Sequence, residues 1–124
     1  MSLALDLRKF AEKAGKNADI AIRTVCLDLT TGVVFKTPVD TGRARGNWQA
    51  SIGTPAVGEV ATLDKSGTAA IAAAQGAIAR APGNVFVLAN NLPYIARLEF
   101  EGYSNQAPAG MARITILEIT NRLR

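Results

Sequence analysis

The sequence predicts an α+β domain: a long N-terminal helix packed on a small β-sheet, with two further helices. Three observations carry that expectation. Apolar residues recur every three or four positions from Leu3 to about Val34, two later segments have the pattern of strands, and an alanine-rich stretch closes on Pro82-Gly83. At 124 residues the chain has the size of one domain with a single core, so one unit is expected over residues 1–124.

The first helix is read from Leu3, Leu7, Phe10, Ala14, Ala18, Ala21, Val25 and Leu29, which line one face. Arg8/Glu12, Glu12/Lys16 and Asp19/Arg23 fall at i,i+4 spacing on the other face, where each pair supports a helix by about 0.2–0.5 kcal/mol. Gly15 and Gly32 are poor interior residues, and the helix is expected to stop before Pro38. Thr37 to Gly46 then reads as a turn-rich loop. Between Gly46 and Gly53, Trp48, Ala50 and Ile52 alternate with Asn47, Gln49 and Ser51, the period of a half-buried strand. Asp64 or Ser66 can cap the alanine-rich helix, anchored by Ile71 and Ile78 and ending near Ala81. Val85-Phe86-Val87-Leu88 is a continuous apolar run and reads as a buried strand. Pro93 starts a short helical turn, Tyr103 to Gly110 is a polar loop, and a last helix runs from about Met111 to Leu123. Ile114, Leu117 and Asn121 are its expected inner stripe.

Composition removes much of enzymology. The chain has no histidine, the commonest general base and metal ligand, and its single cysteine, Cys26, cannot form an internal disulfide. Cys26 lies mid-helix among apolar neighbours and reads as a small core residue. Asp40, Asp64, Glu99 and Glu101 lack the spacing of a calcium loop, and Glu99 and Glu101 read as surface charges. There is no phosphate-binding glycine loop either, so no catalytic, metal or cofactor residue is assigned. The N-terminus has no secretory pattern, and the longest apolar stretch, Ala69 to Ala79, is too short to cross a membrane, so a soluble protein of a reducing compartment is expected. Nine arginines and five lysines against ten acidic residues give a net charge of +4, which permits an anionic partner without requiring one. Arg43 and Arg45 beside Trp48 form a small basic and aromatic cluster, although Trp48 itself reads as core.

Two blocks of residues resemble a known family. Thr37-Pro38-Val39-Asp40-Thr41-Gly42-Arg43, followed by Asn47-Trp48 and the strand through Ile52-Gly53, is similar to the signature of tailed-phage neck and tail-completion proteins, the group that includes minor tail protein Z. Asn90-Asn91-Leu92-Pro93-Tyr94-Ile95, then Leu98-Glu99, Gly102-Tyr103-Ser104 and Gln106-Ala107-Pro108-Ala109-Gly110-Met111, resembles the family's second block. Both blocks occur in the family's order, and with the flanking helices they span essentially the whole chain. The chain departs at Ala44 and Gly46, where relatives often carry a larger apolar residue and a polar one.

The resemblance implies a non-enzymatic structural protein of the virion, assembled in the host cytoplasm and placed at the head–tail junction. It implies a homo-oligomeric ring, taken as a hexamer, that completes the tail and joins it to the head. Its expected partners are other copies of itself, head-closure or adaptor proteins and tail-tube or tail-terminator proteins, with packaged double-stranded DNA contacted non-specifically and no membrane. No cofactor is implied. The candidate docking residues are Thr37, Pro38, Asp40, Thr41, Gly42, Arg43 and Arg45 in one loop and Tyr103, Ser104, Asn105, Gln106 and Pro108 in the other, since Gly and Pro let a backbone lie against a neighbour. Arg43 and Arg45 are also candidates for charges along the DNA path. The alternative is a small basic nucleic-acid-binding or phage assembly protein using Arg43, Arg45, Arg80, Arg97, Arg122 and Arg124. An enzyme with a carboxylate or arginine site stands last.

Overall fold

The computed structural model describes residues 1–102 and 104–122, with residues 9–17 described by backbone alone. The α+β class is as the sequence predicts. Three strands, β1 (Ser2–Asp6), β2 (Gln49–Ile52) and β3 (Val85–Ala89), pair antiparallel in the order β1-β3-β2. Helices α1 (Arg8–Lys36), α2 (Arg43–Gly46), α3 (Thr68–Ala79), α4 (Ile95–Phe100) and α5 (Ala112–Arg122) complete the described elements, so α1 has four companions where two were expected.

The central strand explains its own composition. β3 is flanked on both edges, Leu3↔Leu88 and Leu5↔Phe86 on one side and Ala50↔Leu88 and Ile52↔Phe86 on the other. Phe86, Val87 and Leu88 are buried, and a strand covered in this way reads as a continuous apolar run. β1 corrects the expectation that a helix begins at Leu3. Ser2-Leu3-Ala4-Leu5-Asp6 alternates exposed and half-buried residues, the period of a strand, and Leu7 is buried at the junction with its N–H donating to the Asn84 carbonyl at 2.7 Å. Leu3 and Leu5 turn toward the core from the sheet, not from a helix.

Because Leu3 is not helical, it does not set the phase of α1. Among the described residues of α1 the buried ones are Ile22, Cys26, Leu29, Thr30, Val33 and Val34, while Ala21 is exposed and Val25 half-buried. Arg8 pairs with Asp6 at 2.6 Å; the side chains of Phe10, Glu12, Ala14, Gly15 and Lys16 lie outside the described residues. α1 ends at Lys36, ahead of Pro38 as expected.

α3 follows a left-handed Gly67, and Asp64 supplies the capping oxygens, accepting from Gly67 N at 3.1 Å and Ala70 N at 2.9 Å. Ala70, Ala74, Ala77 and Ile78 are buried, with Ile71 half-buried against the core. α5 packs on α1 in a different rotation from the one expected. Its inner residues are Ala112, Thr115 and Ile119, whereas Leu117 is 54% exposed and Asn121 faces solvent. Gly32 gives the reason: a Cβ there would lie 2.5 Å from Thr115 Cγ2, so α1 and α5 cross closely at a glycine and a small side chain. Leu123 lies outside the described residues. Lys36–Glu118 at 2.9 Å and Arg122–Asp28 at 3.1 Å flank that crossing.

Candidate docking surface

The loop after α1 is held by its own polar residues. Thr37 is buried; its hydroxyl donates to the Val33 carbonyl at 2.7 Å and accepts from Trp48 Nε1 at 2.8 Å. Trp48 is thus core as expected, with its one polar atom satisfied, although it precedes β2 and Asn47, expected on the outer face of a strand, is buried beside it. Arg45 donates to three carbonyls, Thr37 at 2.9 Å, Phe35 at 2.8 Å and Lys65 at 2.7 Å, and so caps the C-terminal end of α1 and ties it to the segment before α3. Gly42 has φ +87°, and a Cβ on it would lie 2.5 Å from Lys65 N; its carbonyl accepts from Asp64 N at 3.0 Å. Gly46 approaches the Thr62 carbonyl too closely for any Cβ, so glycine is required there by the chain's own loop.

Arg43 points away from this network. Its guanidinium pairs with Glu59 at 2.6 Å and lies 5.9 Å from the centre of the Tyr94 ring. Asp40 and Thr41 are exposed beside it.

The second loop is brought onto the first. Gln106 Oε1 accepts from Val39 N at 2.9 Å while its Nε2 donates to the Val39 carbonyl at 3.2 Å, a two-point bond that copies a strand pairing. Asn90, fully buried, donates to the Ala44 carbonyl at 2.9 Å and accepts from Leu92 N at 3.2 Å. The two motif blocks are therefore joined at two places. Between them lies a cavity of about 370 Å³ with Val39, Ala44, Tyr94 and Leu98 as apolar wall and Asp40, Arg43 and Ser104 as polar rim. Of the candidate docking residues, Pro38, Asp40, Thr41, Gly42, Arg43, Ser104 and Gln106 line it. Thr37 and Arg45 serve the turn beneath, Asn105 and Pro108 are exposed outside it, and Tyr103 lies outside the described residues.

Glu99 corrects the expectation of a surface charge. It is fully buried, and its carboxylate accepts from the backbone N–H groups of Met111 at 3.2 Å, Ala112 at 2.6 Å and Arg113 at 3.4 Å, with Arg113 Nε at 3.0 Å. The Arg113 guanidinium also donates to the Glu99 carbonyl and lies over the Phe100 ring. A negative charge at the start of α5 is favoured by the exposed N–H groups and the helix dipole, which is what allows its burial. The signal was present as Leu98-Glu99 inside a motif block, but its partners lie 12–14 residues further on. Glu101 is exposed, 3.8 Å from Arg97.

The arginines do not gather into one stripe of free charge. Arg43, Arg97 and Arg122 face carboxylates, Arg45 faces carbonyls, and Arg80 donates to the Gly76 carbonyl at 3.3 Å; Arg124 lies outside the described residues. Cys26 is fully buried in α1, and desolvation pushes its thiol up to about 11, which makes it inert as a nucleophile at neutral pH. Among the described residues no three His, Cys, Asp or Glu side chains group to hold a metal ion, and no helix is long and apolar enough to cross a membrane. Comparison with protein-family models, with curated proteins and with solved structures returned no match.

Proposed function

We propose that the chain is a non-enzymatic structural protein of the phage head–tail junction. In this reading copies form a ring that completes the tail and joins it to the head-closure proteins around the DNA path. The observation that carries it is the interlocking of the two motif blocks. Residues 46 and 67 positions apart in the sequence are locked together by Asn90 on Ala44 and Gln106 on Val39 into one surface with a cavity at its centre. A fold that uses these segments merely to reverse the chain has no need to join them. Most polar side chains at this surface, Thr37, Arg45, Asn90 and Gln106 among them, fix backbone groups, as in a rigid docking face.

The reading is tested by removing the gene from the phage or prophage that encodes it. The expected result is full heads and complete-length tails that accumulate unjoined, with joining restored by the protein supplied in trans. Normal infectious particles without the protein overturn the reading.

A further inference from the structure

The positive charge of the chain is concentrated on α1. Residues 9–16 hold three of the five lysines against one carboxylate, Glu12, a net +2 that is half of the chain's +4. At about 3.6 residues per turn, positions 9, 13, 16, 20 and 23 fall within about 80° of one another on this helix, whereas Ile22, Cys26, Leu29 and Val33, which face the core, are centred about 130° round it. Glu12 and Asp19 lie outside that stripe, to one side of it. The described end of the stripe is open. Ile20 is 66% exposed, and Arg23, also exposed, rests its Nε on the Ala79 carbonyl at 3.2 Å with no ion-pair partner among the described residues. Arg43 and Arg45, the expected charges along the DNA path, are instead held by Glu59 and by three carbonyls.

We infer that the stripe of Lys9, Lys13 and Lys16 is where the chain meets the phosphates of double-stranded DNA. A helix rises about 1.5 Å per residue, so the three lysines are spread over about 10 Å, a length in which one strand of a duplex presents about three phosphates. Ammonium groups on flexible stems bind phosphate as point charges, and positions 9, 13, 16 and 20 offer no Asn, Gln or Arg to read a base edge, which suits contact without sequence preference. An anionic bilayer fits less well. Interfacial helices insert an apolar face beneath their basic one, and the described apolar face of α1 is committed to the core. The inference deepens the neck reading and rests on it for the anion, a duplex passing through the ring; it moves the DNA contact from Arg43 and Arg45 to α1.

Fluorescence anisotropy of the full chain on a short labelled duplex, titrated over salt, tests it. Wild type is expected to bind with a log–log slope between about −2 and −3, about −0.9 for each of three phosphates. The triple variant Lys9→Gln, Lys13→Gln, Lys16→Gln, whose glutamines suit a helix as well as lysine does, is expected to lose at least tenfold in affinity at low salt and to flatten the slope to about −1. Lys9→Arg, Lys13→Arg, Lys16→Arg keeps the charge and is expected to bind as wild type. Removing the other two lysines, Lys36→Gln with Lys65→Gln, is expected to leave the slope unchanged. No binding by wild type at low salt, a wild-type slope in the triple glutamine variant, or an equal loss in the Lys36/Lys65 variant overturns the stripe. Vesicles of phosphatidylserine are titrated in parallel, and wild-type binding to them tighter than to duplex overturns the choice of DNA. A protein found at the head–tail junction whose duplex affinity ignores the three lysines overturns the stripe and leaves the neck reading in place. Lysine-dependent binding by a protein absent from finished particles does the reverse, keeping the stripe and removing the neck.

Discussion

A carboxylate without solvent has to be surrounded by donors, and Glu99 is: three backbone N–H groups of the first turn of α5 and the Arg113 guanidinium converge on it. Replacing it by alanine leaves those donors unmet beneath a closed surface. The expected loss is about 3 kcal/mol, since breaking a buried charged network from one side is among the costliest single changes. It is read as a fall in the urea midpoint with little change in slope; a variant within about 0.5 kcal/mol of wild type contradicts the capping role. Gly110 belongs to the same arrangement, because a Cβ there would strike the Glu99 carboxylate and φ is +85°. Cys26 makes a second residue-level prediction. Its thiol is held protonated up to about 11 in the folded chain against an ordinary value of 9.0, so the unfolded chain releases the proton first. The contribution of Cys26 to stability is therefore constant below pH 9 and is lost as the pH rises from there through about 11, and a Cys26→Ala variant is expected to lose less stability than wild type across that range in a pH series of melting curves. Cys26 and Trp48 were legible as core from their neighbours alone. Glu99 was not, because the donors that make burial tolerable come from a helix start that the spacing of the carboxylates does not reveal.

The crossing of α1 and α5 is the element-scale feature most open to test. Gly32 costs an isolated helix about 1 kcal/mol relative to alanine, so the sequence alone marks it as a weakness. In the fold it is the point where Thr115 enters. Gly32→Ala is expected to destabilise by about 1–3 kcal/mol despite the better propensity, because the new methyl meets Thr115 Cγ2 at 2.5 Å. Thr115→Ser should recover part of that loss in a double-mutant cycle measured by chemical denaturation, and a stabilised Gly32→Ala would show that the helices do not meet there. The same crossing explains where the sequence pattern misled. Ile114 and Leu117 are two of the four large apolar residues of α5, and their spacing suggests an inner stripe; the close approach at Gly32 instead turns Ala112, Thr115 and Ile119 inward and leaves Ile116 and Leu117 exposed. β3 and α3 were legible from an apolar run and an alanine-rich segment between clear stops, whereas β2 is shorter than its alternation suggests, because Asn47 and Trp48 are both buried ahead of it. β1 was not, because Leu3 and Leu7 satisfy a helical spacing as well as Leu3 and Leu5 satisfy a strand, and only pairing with β3 decides between them.

At the scale of the whole molecule, the candidate site was legible as two segments and not as one surface. Nothing in the sequence spacing joins Val39 to Gln106 or Ala44 to Asn90; the antiparallel sheet and the packing of α4 and α5 bring them together. Charge at this scale separates the neck proposal from the nucleic-acid alternative. With Arg43, Arg97 and Arg122 facing carboxylates among the described residues, the affinity of the chain for duplex DNA should fall with salt at a log–log slope no steeper than about −3, where each neutralised phosphate contributes about −0.9. A slope of about −6 or beyond, measured by fluorescence anisotropy, favours a dedicated nucleic-acid-binding protein instead.

Whether this chain is a component of the head–tail junction is decided by immunogold labelling of gradient-purified particles, with a mass-spectrometric inventory of the same fractions. The protein is expected in finished particles, with gold at the junction between head and tail. Particles that lack the protein, while it stays with free cytoplasmic material, contradict it.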